Sequence, residues 1–559
     1  MLRGDMRLVR LYLVSFLLLL SVRPAVAAEC AIASAHPLAT RAGCEILQQG
    51  GNAFDAAVAV TAALAVVEPY ASGLGGGGFY LLHRSADEFE VFIDARETAP
   101  ACATRELYLD ENGEPRHRAS LDGASAAAIP GTPAAIDWIA TRYGTLSLER
   151  LLAPAIALAE QGFPVDARYL WAIGYREALL KSSPGASVFL DNGARPQAGY
   201  IVKQPQLAKT LRIVARSGRD GFYRGQLARE LVKAVVAGGG VWDLDDLASY
   251  RLVEREPFTI SFRGARISTA PLPSSGGLVM AQALQILEPL PLEKMDEAQR
   301  AHFVAEAMRR GYNDRARYMG DPDFVDVPVA RLASRKYALS RAASISADRA
   351  TPSSELPDVA DPLEEGSDTT HFSIVDREGN RVAATLSVNA PFGAGVVAGD
   401  TGVLLNNHMN DFSLAVAAPN LYRLVGNHAN AIEPGKRPLS SMSPTFVSDD
   451  RGVLVLGTPG GSRIISMVLL GVLDYTLNPQ VNPARIAGAP RYHHQYLPDR
   501  IQIESEGFPD HWVAALRAKG HTVESGGRRW GNMQVVFRDA ATGRSIAESD
   551  PRGRAGVLF

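Results

Sequence analysis

The chain has 559 residues and a formal net charge of −3. A chain of this length exceeds the size at which a single core usually stops growing, so we expect one large layered domain or several smaller ones. The balanced charge argues against a nucleic-acid partner, because such proteins carry a basic surface. The expected partner is therefore a small molecule or a peptide.

The N-terminus has the three parts of a secretory signal. Three arginines precede an apolar stretch over residues 11–22, and the small-residue motif AVA follows at residues 25–27. The apolar stretch is too short to span a bilayer comfortably, so we assign residues 1–27 to a signal peptide that is removed on export. The mature protein would then be periplasmic or secreted, with no membrane anchor; an uncleaved anchor is the alternative.

The pattern of the remaining chain indicates helices and strands together. Residues 53–67 (AFDAAVAVTAALAVV) are apolar all round, with Asn52 as a candidate cap and Asp55 in the first turn, which predicts a buried helix. Further helical patterns at residues 133–144 and 148–162 alternate with short strands and glycine turns. The predicted fold class is α/β, with helices and strands in layers (α+β).

Cysteine and histidine constrain the chain little. The three cysteines are Cys30, Cys44 and Cys102, so at most one disulfide can form within the chain, and the core must hold the fold. No metal-ligand spacing is evident among the 3 cysteines and 11 histidines, so we expect neither a metal nor another cofactor.

One stretch, residues 350–368, is rich in proline, serine and acidic residues, which predicts an exposed loop or linker that ends at Thr369. Strand patterns follow at residues 370–376 and 381–388, and the turn sequence REGN separates them. These signals predict a β-hairpin directly after the loop.

The expected register of this hairpin brings hydroxyl groups together. If Arg377 faces Asn380 across the turn, Ser387 lies opposite Thr370 and next to Thr369. An ordinary threonine–serine pair between two strands is the alternative interpretation.

A threonine at this place gains a chemical role if the chain is cut between Asp368 and Thr369. Thr369 would then carry a hydroxyl nucleophile and a free α-amino group, whose ordinary pKa of about 7.7 to 8.0 lets it act as the base near neutral pH. No histidine is required for this chemistry. Ordinary turn chemistry at a strand start is the alternative.

Residues 452–475 read as a strand, a glycine turn and a helix. Backbone N–H groups of Gly460 and Gly461 can point into a cavity just ahead of the helix, where a negatively charged oxygen is favoured. The segment lacks the spacing of a phosphate-binding loop and suits an oxyanion hole better, with a simple tight turn as the alternative.

Two other segments contain candidate binding residues. Ser440 and Ser441 lie in a proline-flanked loop, where hydroxyls commonly bond to local backbone. Arg96 follows a short strand pattern, and its guanidinium could bind a carboxylate through two parallel hydrogen bonds. A solvated arginine is the alternative.

The motifs that carry a family resemblance are, in chain order, GGNAFDAAVAV, EPYASGLGGGGFYLL, DARETAP, PGTPAAIDWIATRYGTLSLERLLAPAIALAEQGF, DTTHFSIVD, LLNNHMNDFS, KRPLSSMSPT and GTPGGSRII. Together they resemble the γ-glutamyltransferases (γ-glutamyl transpeptidases), which are amino-terminal-nucleophile hydrolases. The resemblance runs from about Ala31 to Phe559.

This resemblance implies a four-layer αββα sandwich and a precursor that cuts itself between Asp368 and Thr369. Residues 28–368 would form a large subunit and residues 369–559 a small one, and the two fragments would pair as a heterodimer that builds one domain. The implied donors are glutathione and other γ-glutamyl compounds, and the implied acceptors are water, amino acids and dipeptides.

The resemblance also implies roles for single residues. Thr369 is the nucleophile, Ser387 holds its hydroxyl at a position where the family commonly has threonine, and Gly460 and Gly461 form the oxyanion hole. The residues implied in binding the glutamyl group are Arg96, Ser440 and Ser441 for its carboxylate and Asn389 and Asp411 for its amino group.

Two further positions concern the edge of the pocket. His408 stands where the family usually has Glu or Gln; neutral imidazole could accept a hydrogen bond from the substrate ammonium, whereas protonated imidazole would repel it. An imidazole that points elsewhere is the alternative. Tyr422 matches the tyrosine of the family's lid loop, and the glycine run Gly75–Gly78 is expected to be a close-packed turn beneath the site.

Three functions remain open from the sequence. The first is a γ-glutamyltransferase and glutathione hydrolase. The second is a related amidase with another donor, such as a cephalosporin acylase or a poly-γ-glutamate depolymerase, for which His408 is the main support. The third is a member that neither cuts itself nor catalyses a reaction and acts as a binding or structural protein.

Overall fold

The computed structural model describes residues 30–116, 118–183, 185–357, 369–414 and 428–553. The signal segment, the predicted cut position Asp368 and the lid residue Tyr422 lie outside these ranges.

The strands of the described ranges are β1 (Ala31–Ser34), β2 (Gly77–Arg84), β3 (Phe89–Ala95), β4 (Phe163–Pro164), β5 (Ile201–Val202), β6 (Val253–Arg255), β7 (Phe258–Phe262), β8 (Ala265–Thr269), β9 (Thr370–Val375), β10 (Arg381–Ser387), β11 (Thr445–Asp449), β12 (Gly452–Gly457), β13 (Tyr492–His493), β14 (Ile501–Ile503), β15 (Val523–Ser525), β16 (Gln534–Asp539) and β17 (Ser545–Ser549).

The α-helices of the same ranges are α1 (Pro37–Gln48), α2 (Ala53–Val67), α3 (Thr132–Arg142), α4 (Leu148–Gln161), α5 (Ala167–Ser182), α6 (Pro205–Tyr223), α7 (Gly225–Ala237), α8 (Leu244–Ser249), α9 (Gly276–Leu287), α10 (Glu297–Tyr318), α11 (Val329–Leu332), α12 (Arg335–Ala342), α13 (Arg463–Leu477), α14 (Pro483–Gly488) and α15 (Asp510–Ala518). The most apolar of these segments is α2, and no helix in the described ranges is both long enough and apolar enough to cross a membrane.

Two six-stranded antiparallel sheets form the centre of the fold. The first has the order β1-β9-β10-β2-β3-β6 and the second the order β17-β16-β12-β11-β8-β7. Side chains alternate along β2, so Phe79 and Leu81 pack into the core shared with the second sheet, whereas Tyr80 and Leu82 pack into the core on the helical side. Helix α2 packs on β9 and β10, and α9 and α13 pack on the second sheet. The predicted four-layer αββα sandwich is confirmed.

Helix α2 covers the first sheet as the sequence predicts. All fifteen of its residues are buried. The Asn52 side chain accepts the backbone N–H of Asp55 at 2.9 Å, and the Asp55 carboxylate accepts the N–H of Asn52 at 2.9 Å, which forms a capping box. A further hydrogen bond from Ala53 N–H to Asp376 Oδ2, 2.9 Å, ties this helix start to the end of β9.

The predicted β-hairpin forms, but its predicted register is wrong by one residue. Leu386 pairs with Thr370, so the register places Ser387 opposite Thr369 rather than opposite Thr370. The cause is a three-residue loop instead of a two-residue turn: Asp376 N–H bonds to Asn380 O at 2.9 Å, and Gly379 has a φ of 92°. In the observed register, the hydroxyls of Thr369 and Ser387 lie closer together than in the predicted one.

The glycine run Gly75–Gly78 is closely packed, as predicted, but it is not a turn throughout, because Gly77 and Gly78 already belong to β2. A Cβ atom on Gly76 would lie 2.3 Å from the carbonyl oxygen of Ser387, and one on Gly75 would lie 2.0 Å from that of Leu404. Glycine is required because the backbones approach this closely. The run therefore fixes the end of β10 against β2.

The single disulfide that the sequence allows joins Cys30 to Cys44, and Cys102 is exposed and free. The bridge links the start of β1 to helix α1.

Candidate active site

The candidate nucleophile lies at the start of β9, one residue before the strand begins. Thr369 is buried, and its Oγ1 lies 3.3 Å from Ser387 Oγ on the last residue of β10. Ser387 Oγ also accepts the backbone N–H of Asn389 at 2.8 Å. Because the sheet fixes both residues, the two hydroxyls are held in one orientation before any ligand binds.

Thr370, the residue after Thr369, is held by the buried carboxyl group of Glu68, which the sequence analysis did not identify. Thr370 Oγ1 donates to Glu68 Oε2 at 2.7 Å, and the Tyr70 hydroxyl donates to Glu68 Oε1 at 3.0 Å. Burial raises the pKa of Glu68 to about 7, because the cost of desolvating the carboxylate exceeds the gain from these two hydrogen bonds. The residue next to Thr369 is thus anchored to a buried carboxyl group.

Most of the predicted residues line one small cavity with Thr369. The cavity is lined by Arg96, Arg315, Thr369, Ser387, Asn389, His408, Asp411, Leu439, Ser440, Ser441, Met442, Gly461 and Ile464. Gly460 lines the neighbouring cavity instead. The fold therefore brings together residues that are up to 368 positions apart in the sequence, namely Arg96 and Ile464.

The charged residues of the cavity form a chain of contacts. Arg96 NH2 forms a very short ion pair with Asp411 Oδ2, and Arg96 NH1 lies 3.4 Å from Glu97 Oε2. His408 Nδ1 lies 2.8 Å from Glu97 Oε1, although the two atoms are too poorly aligned for a good hydrogen bond. All four side chains are buried, so their charges interact in a medium of low dielectric constant.

The buried polar atoms of the cavity residues that have no hydrogen-bond partner among the residues described include a carboxylate oxygen and a hydroxyl oxygen. These atoms are Asp411 Oδ1 and Ser441 Oγ. A buried polar atom without a partner is costly, and its usual explanation in an active site is a ligand group that completes the bond. The pair offers a carboxylate acceptor and a hydroxyl donor to such a ligand.

Ser440 and Asn389 are held by their own loops. Ser440 Oγ accepts the N–H of Met442 at 3.1 Å, which leaves the hydroxyl hydrogen of Ser440 for another acceptor. Asn389 has a φ of 76°, a left-handed conformation that asparagine tolerates, and its Nδ2 donates to Asn407 O at 3.0 Å. The predicted binding residues are thus fixed before a ligand arrives.

The glycine turn precedes helix α13, as predicted. Gly460 has a φ of 145° and Gly461 a φ of 57°, and a Cβ atom on Gly460 would lie 2.5 Å from Met467 Cε. No hydrogen bond from either backbone N–H is made within the described ranges. Both N–H groups are therefore suited to bind a negatively charged oxygen at the N-terminal end of the helix dipole.

Arg315 is a cavity residue that the sequence did not reveal. It lies near the end of α10, and its Nε donates to Ser275 Oγ at 2.9 Å. Burial lowers the pKa of Arg315 to about 10, so the side chain stays charged at neutral pH. Residues 301–316 are all buried although many are charged, and no local sequence signal distinguishes such a helix from an exposed one.

One group of side chains in the described ranges has ligand-like spacing, namely His302, Glu306 and His521. Glu306 already binds Arg310 at 2.6 Å and lies 3.3 Å from Arg309, while His302 Nδ1 lies 2.8 Å from His521 Nε2. Two adjacent guanidinium groups oppose a bound cation. We therefore describe this group as a polar network and assign no metal to it.

The chain is similar to known proteins over most of its length. The family model described as Gamma-glutamyltranspeptidase matches residues 39–559. The glutathione hydrolase proenzyme of Escherichia coli (strain K12) is 42% identical over 536 residues, which are 95% of this chain and 91% of that protein.

Two solved structures are similar over most of their own length. The cephalosporin acylase from Bacillus halodurans has a TM-score of 0.80 at 29% identity and covers 95% of this chain and 96% of its own. The γ-glutamyltranspeptidase from Helicobacter pylori has a TM-score of 0.58 at 39% identity and covers 60% of this chain and 97% of its own.

The pKa of Glu68 leads to a test of stability against pH. Between pH 4.5, the ordinary pKa of glutamate, and about 7, the folded chain keeps a proton that the unfolded chain has lost. Raising the pH through this window should therefore lower the free energy of unfolding by up to about 3 kcal/mol, and Glu68→Gln should abolish this loss. From pH 5 to pH 8, the thermal midpoint of the wild-type protein should therefore fall more than that of Glu68→Gln. The exposed Glu111→Gln is the control, and parallel curves for Glu68→Gln and the wild-type protein would contradict the prediction.

Proposed function

The chain belongs to the gamma-glutamyltranspeptidase family, and from this premise we propose that it is a γ-glutamyltransferase and glutathione hydrolase with Thr369 as its nucleophile. The observation that carries the proposal is the cavity in which Thr369, Gly461 and the Arg96–Asp411 ion pair meet. A nucleophile, an oxyanion donor and binding groups for both charges of an amino acid are present together.

The reaction begins with attack on the γ-glutamyl amide. After cleavage at Asp368, the Thr369 hydroxyl adds to the amide carbon while the Thr369 amine takes its proton and then gives that proton to the leaving amine. The hydrogen bond between Ser387 and Thr369 keeps the hydroxyl oriented for attack. The ester that forms transfers its γ-glutamyl group to water, or to an amino acid or dipeptide.

The negative charge that develops on the carbonyl oxygen needs hydrogen-bond donors. The N–H groups of Gly460 and Gly461 supply them in a rigid turn, so the site does not have to reorganise during the reaction. Removing one such donor in other hydrolases costs about 100- to 1000-fold in kcat.

The charged pair in the cavity suits the zwitterionic end of the substrate. The substrate α-carboxylate binds Arg96 with help from Ser440 and Ser441, and the α-ammonium binds Asp411 and Asn389. The buried, unpartnered atoms Asp411 Oδ1 and Ser441 Oγ support this orientation. Each charge of Arg96 and Asp411 then stays paired throughout binding.

We place the mature enzyme outside the cytoplasm, as a heterodimer of residues 28–368 and 369–559. The signal-like N-terminus supports export, and so does the Cys30–Cys44 disulfide, since disulfides persist in oxidising compartments. The Helicobacter pylori chain matches 60% of this chain but 97% of its own length, which agrees with a separate large subunit. Tyr422 is proposed to close the pocket as part of a lid.

An acylase with another donor is the second candidate. It is favoured by His408, whose imidazole lines the cavity beside Glu97, and by the likeness to the Bacillus halodurans cephalosporin acylase. The Arg96–Asp411 pair favours the first candidate, because a donor without an amino acid end would leave both charges buried without a substrate partner.

Replacing the nucleophile tests cleavage and catalysis together. Thr369→Ala should remain a single chain on denaturing electrophoresis and lose activity on γ-glutamyl anilides by at least about 1000-fold, because no other group replaces its hydroxyl. Thr369→Ser should still be cut, and so should Thr370→Ala, the adjacent control. A Thr369→Ala chain that matures into two subunits would refute the assignment, and uncut wild-type protein would favour a non-catalytic member.

The side chain of His408 should affect donor binding, because it lines the cavity beside Glu97. A glutamine amide oxygen at this position can accept a hydrogen bond from the substrate ammonium, so His408→Gln should lower KM for a γ-glutamyl donor about fivefold. Initial rates over donor concentration give the measurement, with the exposed His511→Gln as control. An unchanged KM would show that His408 does not face the ammonium.

A further inference from the structure

A second cavity lies next to the one that contains Thr369. Its walls include Arg168, Trp171, Gly460, Arg528, Arg529 and Trp530. The two cavities meet at the glycine turn, because Gly461 lines the first and Gly460 the second. We call the second one the arginine cavity.

Two guanidinium groups of the arginine cavity share one aromatic ring. The Arg168 guanidinium lies 4.6 Å from the ring centroid of Trp171, and the Arg528 guanidinium lies 5.5 Å from it. Both arginines are exposed, so a dissolved anion can reach their guanidinium groups. An anion between them would contact both groups.

Some of the other polar groups of the arginine cavity have partners within the described ranges, and others do not. Arg529 lies 3.8 Å from Glu506, whereas Arg528 has no carboxylate partner in the part of the chain that the structure describes. Trp530 is 6% exposed, and its indole N–H has no hydrogen-bond partner among the described residues. The cavity thus offers a cation and a buried N–H donor, both of which suit a negatively charged oxygen.

The arginine cavity is also linked to the nucleophile by charge. The positive charge of Arg168 lowers the pKa of Glu68, and Glu68 accepts the hydroxyl hydrogen of Thr370. The cavity itself adjoins the glycine turn through Gly460. If that turn forms the oxyanion hole, a group that leaves from the reacting carbon has this cavity nearby.

We propose that the arginine cavity binds the free carboxylate of the peptide that leaves the donor, and of the amino acid or dipeptide that later accepts the γ-glutamyl group. The proposal rests on the proposed function and adds the residues that would hold the terminal carboxylate of the leaving group and of the acceptor. Guanidinium groups suit such an anion because they can bind it through paired hydrogen bonds.

In the transfer step, the acceptor carboxylate is held by Arg168 and Arg528 while its amine faces the acyl-enzyme ester. The amine nitrogen forms a bond to the γ-carbonyl carbon, and the bond from that carbon to Thr369 Oγ1 breaks. The proton lost by the amine passes through the Thr369 amino group to Thr369 Oγ1, so the threonine hydroxyl is restored.

A matched pair of donors tests this assignment. Glutathione and its C-terminal amide differ in the carboxylate that the cavity would bind. For the wild-type enzyme, kcat/KM should favour glutathione, and Arg168→Gln combined with Arg528→Gln should reduce that preference about tenfold. Arg168→Lys with Arg528→Lys should restore part of it, and Arg216→Gln, an exposed arginine on α6, should leave it unaltered. An equal preference in the wild-type and double-glutamine enzymes would overturn the proposal.

Binding gives a second readout that does not require turnover. Glycylglycine should bind the wild-type protein more tightly than glycylglycinamide, as measured by tryptophan fluorescence, and the double-glutamine variant should lose this difference. If neither donor reacts but carboxylate-selective binding is present, the proposed function fails and the cavity assignment stands. If the wild-type protein binds both dipeptides equally, the cavity assignment fails.

Discussion

The register between β9 and β10 is the constraint on which the site depends. Side chains alternate between the two faces of a sheet, so a shift by one residue would turn Ser387 away from Thr369 and move the hydroxyl that orients it. The three-residue loop closed by Gly379 sets this register, and the glycine run at the start of β2 holds the far side of β10. Local backbone geometry at two turns thus determines where the Thr369 side chain lies.

Buried charged residues are the second feature that shapes the candidate site. Arg96, Glu97, Asp411 and Arg315 lie in or beside one small cavity, where an uncompensated charge would be strongly destabilising. Each of them contacts a partner of opposite charge or a hydroxyl group. The cavity therefore presents a positive and a negative group side by side.

Much of this arrangement could be predicted from the sequence. The bounds of helix α2, its capping box, the strand before Arg96 and the turn at Gly460 and Gly461 follow from local patterns, and the structure contains all of them. Such features can be read because a helix cap or a glycine turn depends on residues within a few positions of each other.

Other features could not be read in this way. Glu68 and Arg315 reach the site from helical segments far from Thr369, and single charged residues carry no signature of burial. The contact between His408 and Glu97 depends on packing between distant loops. The predicted register of the hairpin was wrong for a simpler reason, because the same sequence fits a turn of two residues or of three.

The most direct test of the account is to identify the residue that carries the acyl group. The enzyme would be quenched in acid during turnover of a γ-glutamyl donor, digested, and mapped by mass spectrometry. The account predicts a small subunit that begins at Thr369 and carries a γ-glutamyl ester on that residue. An acyl group on another residue, or turnover by an uncut chain, would contradict it.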